Sequence, residues 1–561
     1  MDELDDLIHN LYSTPLSCGK NLFQLTTYDN LSMIWITHAS FQTFLRNLLK
    51  EEKTTRQSSR SRKLTIYKRA GIYLELLFDV ALHMISSVLL FIYDTRSKNP
   101  PSYPTVLLYS HDLQWRKMRD AQKNITRKTD IYFDAIIQKA QDKFTIITTK
   151  SIDYDEQPFQ GIRKLREKLK LWNIPIKPLN IYWRLDVWKK KYKSFKFFKQ
   201  RFQDLQRDQV FRKLCRINGK DFSKEILHEL DFYFTMKFPR GVGYIALGRN
   251  MLKFLRPQLV MLADEYIWKP KSYIVIAAKL EGVPSLALQH GIIYPTHTGY
   301  KYQKKDISPK GHFTSPYAPL PDKTVVYGTY HKHLLTEISA YPKQSVLVTG
   351  QPRYDALYEA KETYSKQEYI KRYGINPKER IVLWTTQLKG TSDEENALTI
   401  ETVCTAIKSL KNVCLVIKQH PDEGQEYTAL LQEYTKRFDV NAIIPSRFSD
   451  TNEHLFAADV VIGKTSTTLM EAVILQKPAI VLNLSGQPDE VEYVPEKVAL
   501  GVYQKDTLAP AIQKLLIDDA ELASHRENYI ERYLYKIDGK STERVLDVMD
   551  NMILTYQKPH E

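Results

Sequence analysis

Short, wholly apolar runs separated by longer amphipathic stretches dominate the chain from residue 105 onward. Thr105–Tyr109 is such a run, and a helical stretch near 130–142 and a second run at Phe144–Thr149 follow it. After an aromatic and basic region at 150–240 with no clear period, the runs resume at Gln258–Ala263, Ser285–Gln289, Thr324–Tyr327 and Ser345–Val348. They continue at Arg380–Trp384, Val413–Ile417, Val460–Ile462 and Ala479–Asn483. Runs of four to six apolar residues without polar alternation are strands buried on both faces, which occur in parallel sheets covered by helices. The pattern therefore predicts an α/β fold of two Rossmann-like domains with parallel sheets, joined near 340–375. A helical, basic extension precedes them over 1–98. No internal repeat or low-complexity segment interrupts the order.

Length supports two domains, because 561 residues exceed what one core organises. A composition of 43% hydrophobic and 26% charged residues, with 20 Gly and 26 Pro, excludes collagen-like and wholly disordered chains. Cys18, Cys215, Cys404 and Cys414 are far apart and form no C-x-x-C pair, which excludes a disulfide scaffold or a cysteine zinc site and fits a reducing cytoplasm. The opening MDELDDLIHN lacks the layout of a secretory signal.

Charge changes the picture more. Lys+Arg 81 against Asp+Glu 65 gives a net +16, which draws the protein toward polyanions. One basic segment, 53–69, runs into Ile72–Tyr93, long enough to span a membrane but striped by Glu75, Asp79 and His83 at four-residue steps. That stripe favours a helix packed on its own domain or lying in a membrane interface over a simple span. A second segment, Trp188–Arg216, sets Trp188, Tyr192, Phe195, Phe198, Phe202 and Leu205 at helical spacing among Lys189, Lys190, Lys191, Lys193, Lys196, Lys199 and Arg201. It reads as an amphipathic basic helix, suited to anionic headgroups or to a solvated face over a core stripe. No nucleic-acid-binding signature accompanies it, so no nucleic acid partner is expected.

Ligands of open parallel sheets bind at the carboxyl ends of the strands. Those ends carry His290-Gly291, Thr349–Asp355 (TGQPRYD), Thr385–Ser392 (TTQLKGTS), Lys418–Glu423 (KQHPDE) and Gly463–Glu471 (GKTSTTLME). Five polar ends rich in hydroxyls and histidines describe a cleft for a phosphorylated, sugar-like molecule. Gln289-His290-Gly291, the G-x-P-R-x-D pattern Gly350–Asp355, His420-Pro421, Ala458–Ala472 and DGKSTERV at Asp538–Val545 resemble GT-B glycosyltransferases and their relatives. These relatives are the CDP-glycerol glycerophosphotransferases, the capsule and surface polysaccharide glycosyltransferases and, more distantly, the UDP-GlcNAc 2-epimerases. The resemblance covers roughly residues 255–550. It implies an N-terminal acceptor domain over 99–340, a nucleotide-binding domain over 341–530, and a last helix over 531–561 crossing back to the first domain.

The resemblance also implies roles. His420, braced by Pro421, contacts the nucleotide. Thr465, Ser466, Thr467 and Thr468 open a helix whose N–H groups and hydroxyls suit a diphosphate, and Glu471 binds the ribose, unless Thr468-x-x-Glu471 is only a capping box. Lys389 neutralises the leaving diphosphate, and His290 is the base that takes the acceptor proton, with Asp264 and Glu265 as competitors. Arg353 and Asp355 are expected to pair and brace the interdomain joint. Gln289 replaces the aromatic residue usual in the glycerophosphotransferases, which favours a sugar nucleotide.

No G-x-G-x-x-G fingerprint or Walker A loop is present, against NAD and ATP enzymes. Asp153-Tyr154-Asp155 lacks the strand a D-x-D metal motif needs, and His297, His331 and His333 read as loop histidines, so neither a metal nor a cofactor is expected. The resulting expectation is a glycosyltransferase moving a sugar from a nucleotide-sugar donor to a glycan or polyprenyl-linked acceptor at the cytoplasmic face of an anionic membrane. A glycerophosphotransferase, a 2-epimerase-like isomerase and a non-catalytic scaffold are its alternatives.

Overall fold

A computed structural model describes residues 3–51, 103–110, 115–120, 125–150, 176–217, 219–263, 271–295, 297, 299–302 and 320–556. Two parallel sheets organise it. The first comprises β1 (Thr105–Tyr109), β2 (Thr145–Lys150), β3 (Ile176–Pro178), β4 (Leu259–Ala263), β5 (Ser285–Leu288), β6 (Lys323–Val326) and β7 (Val346–Val348), in the order β7-β6-β5-β4-β1-β2-β3. The second comprises β8 (Arg380–Thr385), β9 (Val413–Lys418), β10 (Ala442–Ile443), β11 (Val460–Gly463), β12 (Ala479–Leu482) and β13 (Leu500–Val502), in the order β10-β9-β8-β11-β12-β13. In both, the chain winds outward one way and then reverses, leaving a crevice between β1 and β4 and another between β8 and β11. The architecture is two Rossmann-like domains with parallel sheets behind a helical N-terminal region, the α/β fold that the alternation of apolar runs predicts.

Alternate side chains of each strand enter different cores. Val106 and Leu108 face one cluster of the first domain, Leu107 and Tyr109 the other. Ile381 and Leu383 face one cluster of the second, Val382 and Trp384 the other. This two-sided burial is why the strands read as continuous apolar runs. The helix α1 (Glu3–Ser13) and α2 (His38–Glu51) contribute Leu11, Tyr12, Phe41 and Leu45 to a further core of the first domain.

The basic segment is not one helix. α3 spans Leu185–Arg207 and stops at Asp208, whose extended backbone breaks the helix while its carboxylate accepts Phe211 N–H at 2.9 Å and starts a short helix over Gln209–Leu214. The apolar stripe of α3 packs inward: Phe198 and Phe202 meet Phe234, and Phe198 meets Phe238 at the start of α4 (Phe238–Leu255). Its aromatic side therefore belongs to the protein core rather than to a lipid phase. No helix among the described residues is long and apolar enough to cross a membrane. Residues 53–69 and the apolar stretch 72–93 lie outside the described residues.

The final helix α7 (Ser541–Tyr556) places Val545, Leu546, Met549, Met552 and Ile553 in the core of the first domain beside Val106 and Met261. Asp355 holds its start: the carboxylate accepts Ser541 N–H at 3.0 Å, Thr542 N–H at 2.8 Å and the Thr542 hydroxyl at 2.6 Å. Gly350 allows this approach, since its φ is +75° and a Cβ there would sit 2.5 Å from Ser541 Oγ. The expected Arg353–Asp355 pair is absent. A 3-10 turn over Pro352–Tyr354 followed by the short helix α5 (Asp355–Tyr358) separates the two side chains; Asp355 grips α7 while Arg353 bonds Glu471 in the second domain. Both residues fasten the junction, each to a different partner.

Candidate active site

The second sheet's crevice is built by three strand ends. Beyond β8, Gln387 clasps Thr465: its Nε2 donates to Thr465 Oγ1 at 2.9 Å and its Oε1 accepts Thr465 N–H at 2.8 Å. Thr385 Oγ1 donates to Ile462 O at 3.1 Å and lies 3.0 Å from Thr468 Oγ1. α6 (Thr467–Ile474) begins here, with Ser466 as its cap accepting Thr468 N–H at 3.2 Å. Tyr493 OH donates to Ser466 O at 3.0 Å from behind. Thr385, Thr468 and Ser466 thus form one hydroxyl cluster, with Thr465 held beside it by Gln387, at a helix N-terminus where partial positive charge favours an anion.

Buried groups stiffen this edge. Glu423, fully buried, accepts the Thr386 hydroxyl at 2.5 Å and Leu388 N–H at 2.7 Å, tying the loop after β9 to the loop after β8. Lys418 Nζ donates to Arg447 O at 2.7 Å and Gln419 O at 3.1 Å, keeping a cation under the strand ends. Lys464, beside the hydroxyl cluster, pairs with Glu395 at 2.7 Å. His420 is exposed at the mouth; its backbone N–H donates to Thr386 Oγ1 at 3.2 Å and Asp422 N–H lies 3.2 Å from its Nδ1, with Pro421 half-buried beside it. Lys389 is exposed in the turn before Gly390 and makes no hydrogen bond or ion pair among the described residues. Neither Gln387 nor Glu423 stands out by sequence, because an amide or a carboxylate in a loop carries no periodic signal.

Glu471 is only 6% exposed at its side chain and bonds Arg353. The capping box with Thr468 is not made, because Ser466 rather than Thr468 is the cap. Burial works against the Arg353 charge, but Glu471 and then the hydroxyls of Tyr354, Tyr132 and Tyr327 more than offset it, and its pKa is raised. Tyr132 belongs to the first domain, so this cluster joins the two.

On that domain, Tyr132 meets the His290 ring edge-on at 6.0 Å between centroids. Asp130, fully buried, sets Tyr132 in place by accepting the N–H groups of Tyr132 at 2.9 Å and Phe133 at 3.2 Å and the hydroxyl of Ser110, which follows β1. Gln289 fixes the turn after β5: Oε1 accepts Tyr327 N–H at 2.9 Å and Nε2 donates to Gly291 O at 2.7 Å. Gln351 Nε2 closes the set on Gln289 O at 3.1 Å and Tyr327 Oη at 3.0 Å. A buried glutamine is needed at 289 because its side chain bonds two backbone positions, Tyr327 N–H and Gly291 O, that an aromatic ring would leave unmet. His290 and Tyr132 on the first domain thus converge with Arg353, in the turn that leaves it, and with Glu471 on the second.

Asp264 and Glu265, the competing acid/base pair, lie outside the described residues, as does Asp153-Tyr154-Asp155. Among the described residues no three histidine, cysteine or carboxylate side chains gather as metal ligands. His297 accepts Gly299 N–H at 3.2 Å. His331 is no loop histidine: it sits fully buried in the helix Thr329–His333 under Tyr327, Tyr330 and Tyr533, and burial lowers its pKa to about 3.

The family model described as UDP-N-acetylglucosamine 2-epimerase matches residues 323–550. No curated protein matches the chain. Among solved structures, UDP-GlcNAc 2-epimerase from Neisseria meningitidis bound to UDP-GlcNAc is similar at 14% identity, covering 80% of this chain and 99% of that one, with a TM-score of 0.47. A Rickettsia africae glycosyltransferase shows 12% identity, 81% and 99% coverage and a TM-score of 0.43. UDP-GlcNAc 2-epimerase from Methanocaldococcus jannaschii in complex with UDP-GlcNAc and UDP shows 12% identity, 80% and 99% coverage and a TM-score of 0.43. From β6 to α7, the chain is thus similar to the UDP-N-acetylglucosamine 2-epimerases by their family model.

Proposed function

We propose that this protein is an enzyme acting on a nucleotide-activated sugar, with the nucleotide at the carboxyl edge of the second sheet and the sugar facing His290 and Tyr132. The observation that carries this reading is the Gln387–Thr465 clasp. It lies at the crevice between β8 and β11 and continues into the hydroxyls of Thr385, Ser466 and Thr468 at the start of α6. Hydroxyls and a helix N-terminus backed by Lys464 and Lys418 supply the donors and positive potential a diphosphate requires. His420 at the mouth is within the same edge and suits the base or ribose.

The reaction favoured by the matched family model is inversion at C2 of a UDP-N-acetylhexosamine. Such inversion breaks and remakes a C2–H bond, so a group in the cleft takes that proton; His290 is the candidate, with Tyr132 against its ring. The second reading is transfer of the sugar to a hydroxyl of a surface-glycan or polyprenyl-linked acceptor. The family match covers residues 323–550 and so bears on the second domain, leaving the acceptor side of the first domain to experiment.

Incubation with UDP-GlcNAc in D2O without any acceptor, followed by proton NMR, separates the two. A C2 epimer carrying deuterium supports epimerisation, and nucleotide release only on adding an acceptor supports transfer. Failure of UDP, CDP, CMP, GDP and ADP alike to bind in calorimetry would sink both.

A further inference from the structure

We propose that the outward face of α3 is a docking surface for an anionic membrane. Leu185, Lys189, Lys193, Lys196 and Lys199 are all exposed and recur at three- and four-residue steps, forming one row about 21 Å long. Lys190 and Lys191 turn toward the protein instead, and Lys191 lies along Gly243 of α4. The row is presented rigidly, because Val187, Phe195, Phe198, Phe202 and Leu205 on the opposite side are buried. Lys196 Nζ sits 4.7 Å over the Tyr192 ring, and among the described residues Lys189, Lys193 and Lys196 pair with no carboxylate. Their charge is therefore available to an outside anion.

The apolar end of the row decides what that anion is. Leu185 and Phe254 are each 53% exposed, unusual for side chains of this size. They come from α3 and α4 at the same place, where Asn250 Nδ2 donates to Tyr182 O at 3.4 Å and Asp186 Oδ1 at 3.5 Å, and Phe254 meets the Tyr182 ring at 5.5 Å. A bilayer offers both partners this surface wants: phosphate headgroups for the ammonium row and the boundary below them for Leu185 and Phe254. A duplex nucleic acid would be better served by a groove-fitting surface with forked arginines than by a straight row of lysines, which act as point charges on mobile headgroups. The inference does not depend on the reaction in the cleft.

The test is co-sedimentation of the full chain with phosphatidylglycerol/phosphatidylcholine vesicles and with phosphatidylcholine alone, heparin serving as a soluble polyanion. The wild-type protein is expected to pellet with the anionic vesicles only. In K189E/K193E/K196E binding should fall by more than about tenfold. L185S/F254S should bind more weakly and lose its vesicles at lower salt, while melting curves of both variants match the wild type because every altered side chain is exposed. Absence of wild-type binding to anionic vesicles overturns the proposal, as does unchanged binding in the charge-reversed variant, or heparin binding that persists where vesicle binding does not occur.

Discussion

Arg353, in the turn that leaves the first domain, donates to Glu471, which lies in the core-facing half of α6 in the second. With side-chain exposures of 20% and 6%, the pair is largely withdrawn from water, so each charge depends on the other. Arg353→Ala leaves the Glu471 carboxylate buried without its partner and is expected to destabilise the protein by about 3–5 kcal/mol. The double replacement R353M/E471L should recover most of that loss, because it removes both desolvation penalties at once. Urea unfolding of the wild type and both variants checks this; a double variant as unstable as R353A would mean that the charges do more than neutralise each other.

Asp355 makes a second fastening, at the start of α7. Its two oxygens accept two backbone N–H groups and one hydroxyl, as a capping residue does, although it stands 186 positions earlier in the chain than Ser541. Asp355→Ala should cost about 1–2 kcal/mol. Hydrogen exchange locates the effect, since amides of 541–545 should lose protection while those of β8 and β11 keep theirs.

These two residues also show how far sequence reasoning reaches. Gly350–Asp355 stands out as a motif, and its place at the domain junction follows from the strand that precedes it. The partners do not follow, because two side chains two positions apart on a tight turn diverge, and their contacts are 118 and more than 180 residues away. The longer central strands were legible for a physical reason, since burial on both faces leaves few polar positions and β4 and β9 announce themselves; the two- and three-residue strands β3, β10 and β13 at the sheet edges were not. Asp208 was not, since an acidic residue inside a basic helical pattern reads as a solvated position until its carboxylate is seen capping the next turn. Gln387 and Glu423 were missed likewise, their importance lying wholly in the loops they tie together.

Three buried histidines make stability depend on pH. Burial lowers the pKa of His38 to about 4 and those of His331 and His454 to about 3, with the charges of Lys418 and Arg372 adding to the effect at His454. Each is neutral in the fold, while the unfolded chain takes up a proton near pH ~6.5. Their contribution is therefore fully present above about pH 6.5 and is lost as the pH falls toward 4, at up to about 1.4 kcal/mol per pH unit for each group. His331→Phe, which keeps a ring among Tyr327, Tyr330 and Tyr533, should flatten the slope of unfolding free energy between pH 6 and 5 by up to about 1.4 kcal/mol per pH unit. An unchanged slope in that variant would mean that His331 titrates alike folded and unfolded.

Gln387 touches the candidate nucleotide site through Thr465 alone among its side-chain contacts on that edge, with one bond given and one received. Gln387→Leu keeps the volume and removes both. Thr465 N–H and hydroxyl then lose their fixed direction, and affinity for the nucleotide diphosphate should fall by about tenfold, the equivalent of one or two modest hydrogen bonds. The melting temperature without ligand should move little, since Gln387 is half-buried and its partners remain open to water. Calorimetry with the nucleotide that the wild type binds reads the first quantity and a thermal scan the second.

His290 predicts the opposite division. It stands on the first domain just after β5, and its ring meets Tyr132, which Asp130 holds in turn. An imidazole can take up and give back a proton, whereas an amide of similar size cannot. His290→Asn should leave nucleotide affinity within about twofold of the wild type while turnover falls by about 10²–10⁴, the usual worth of a general acid or base. The prediction holds for C2 inversion and for transfer, since each needs one proton moved on the sugar side of the cleft. Tyr132→Phe separates catalysis from positioning, because it keeps the ring that packs on His290 and removes only the hydroxyl. If positioning is its role, turnover in that variant stays near the wild-type level; a loss as large as that of His290→Asn would make Tyr132 the proton-carrying group and leave His290 to hold it.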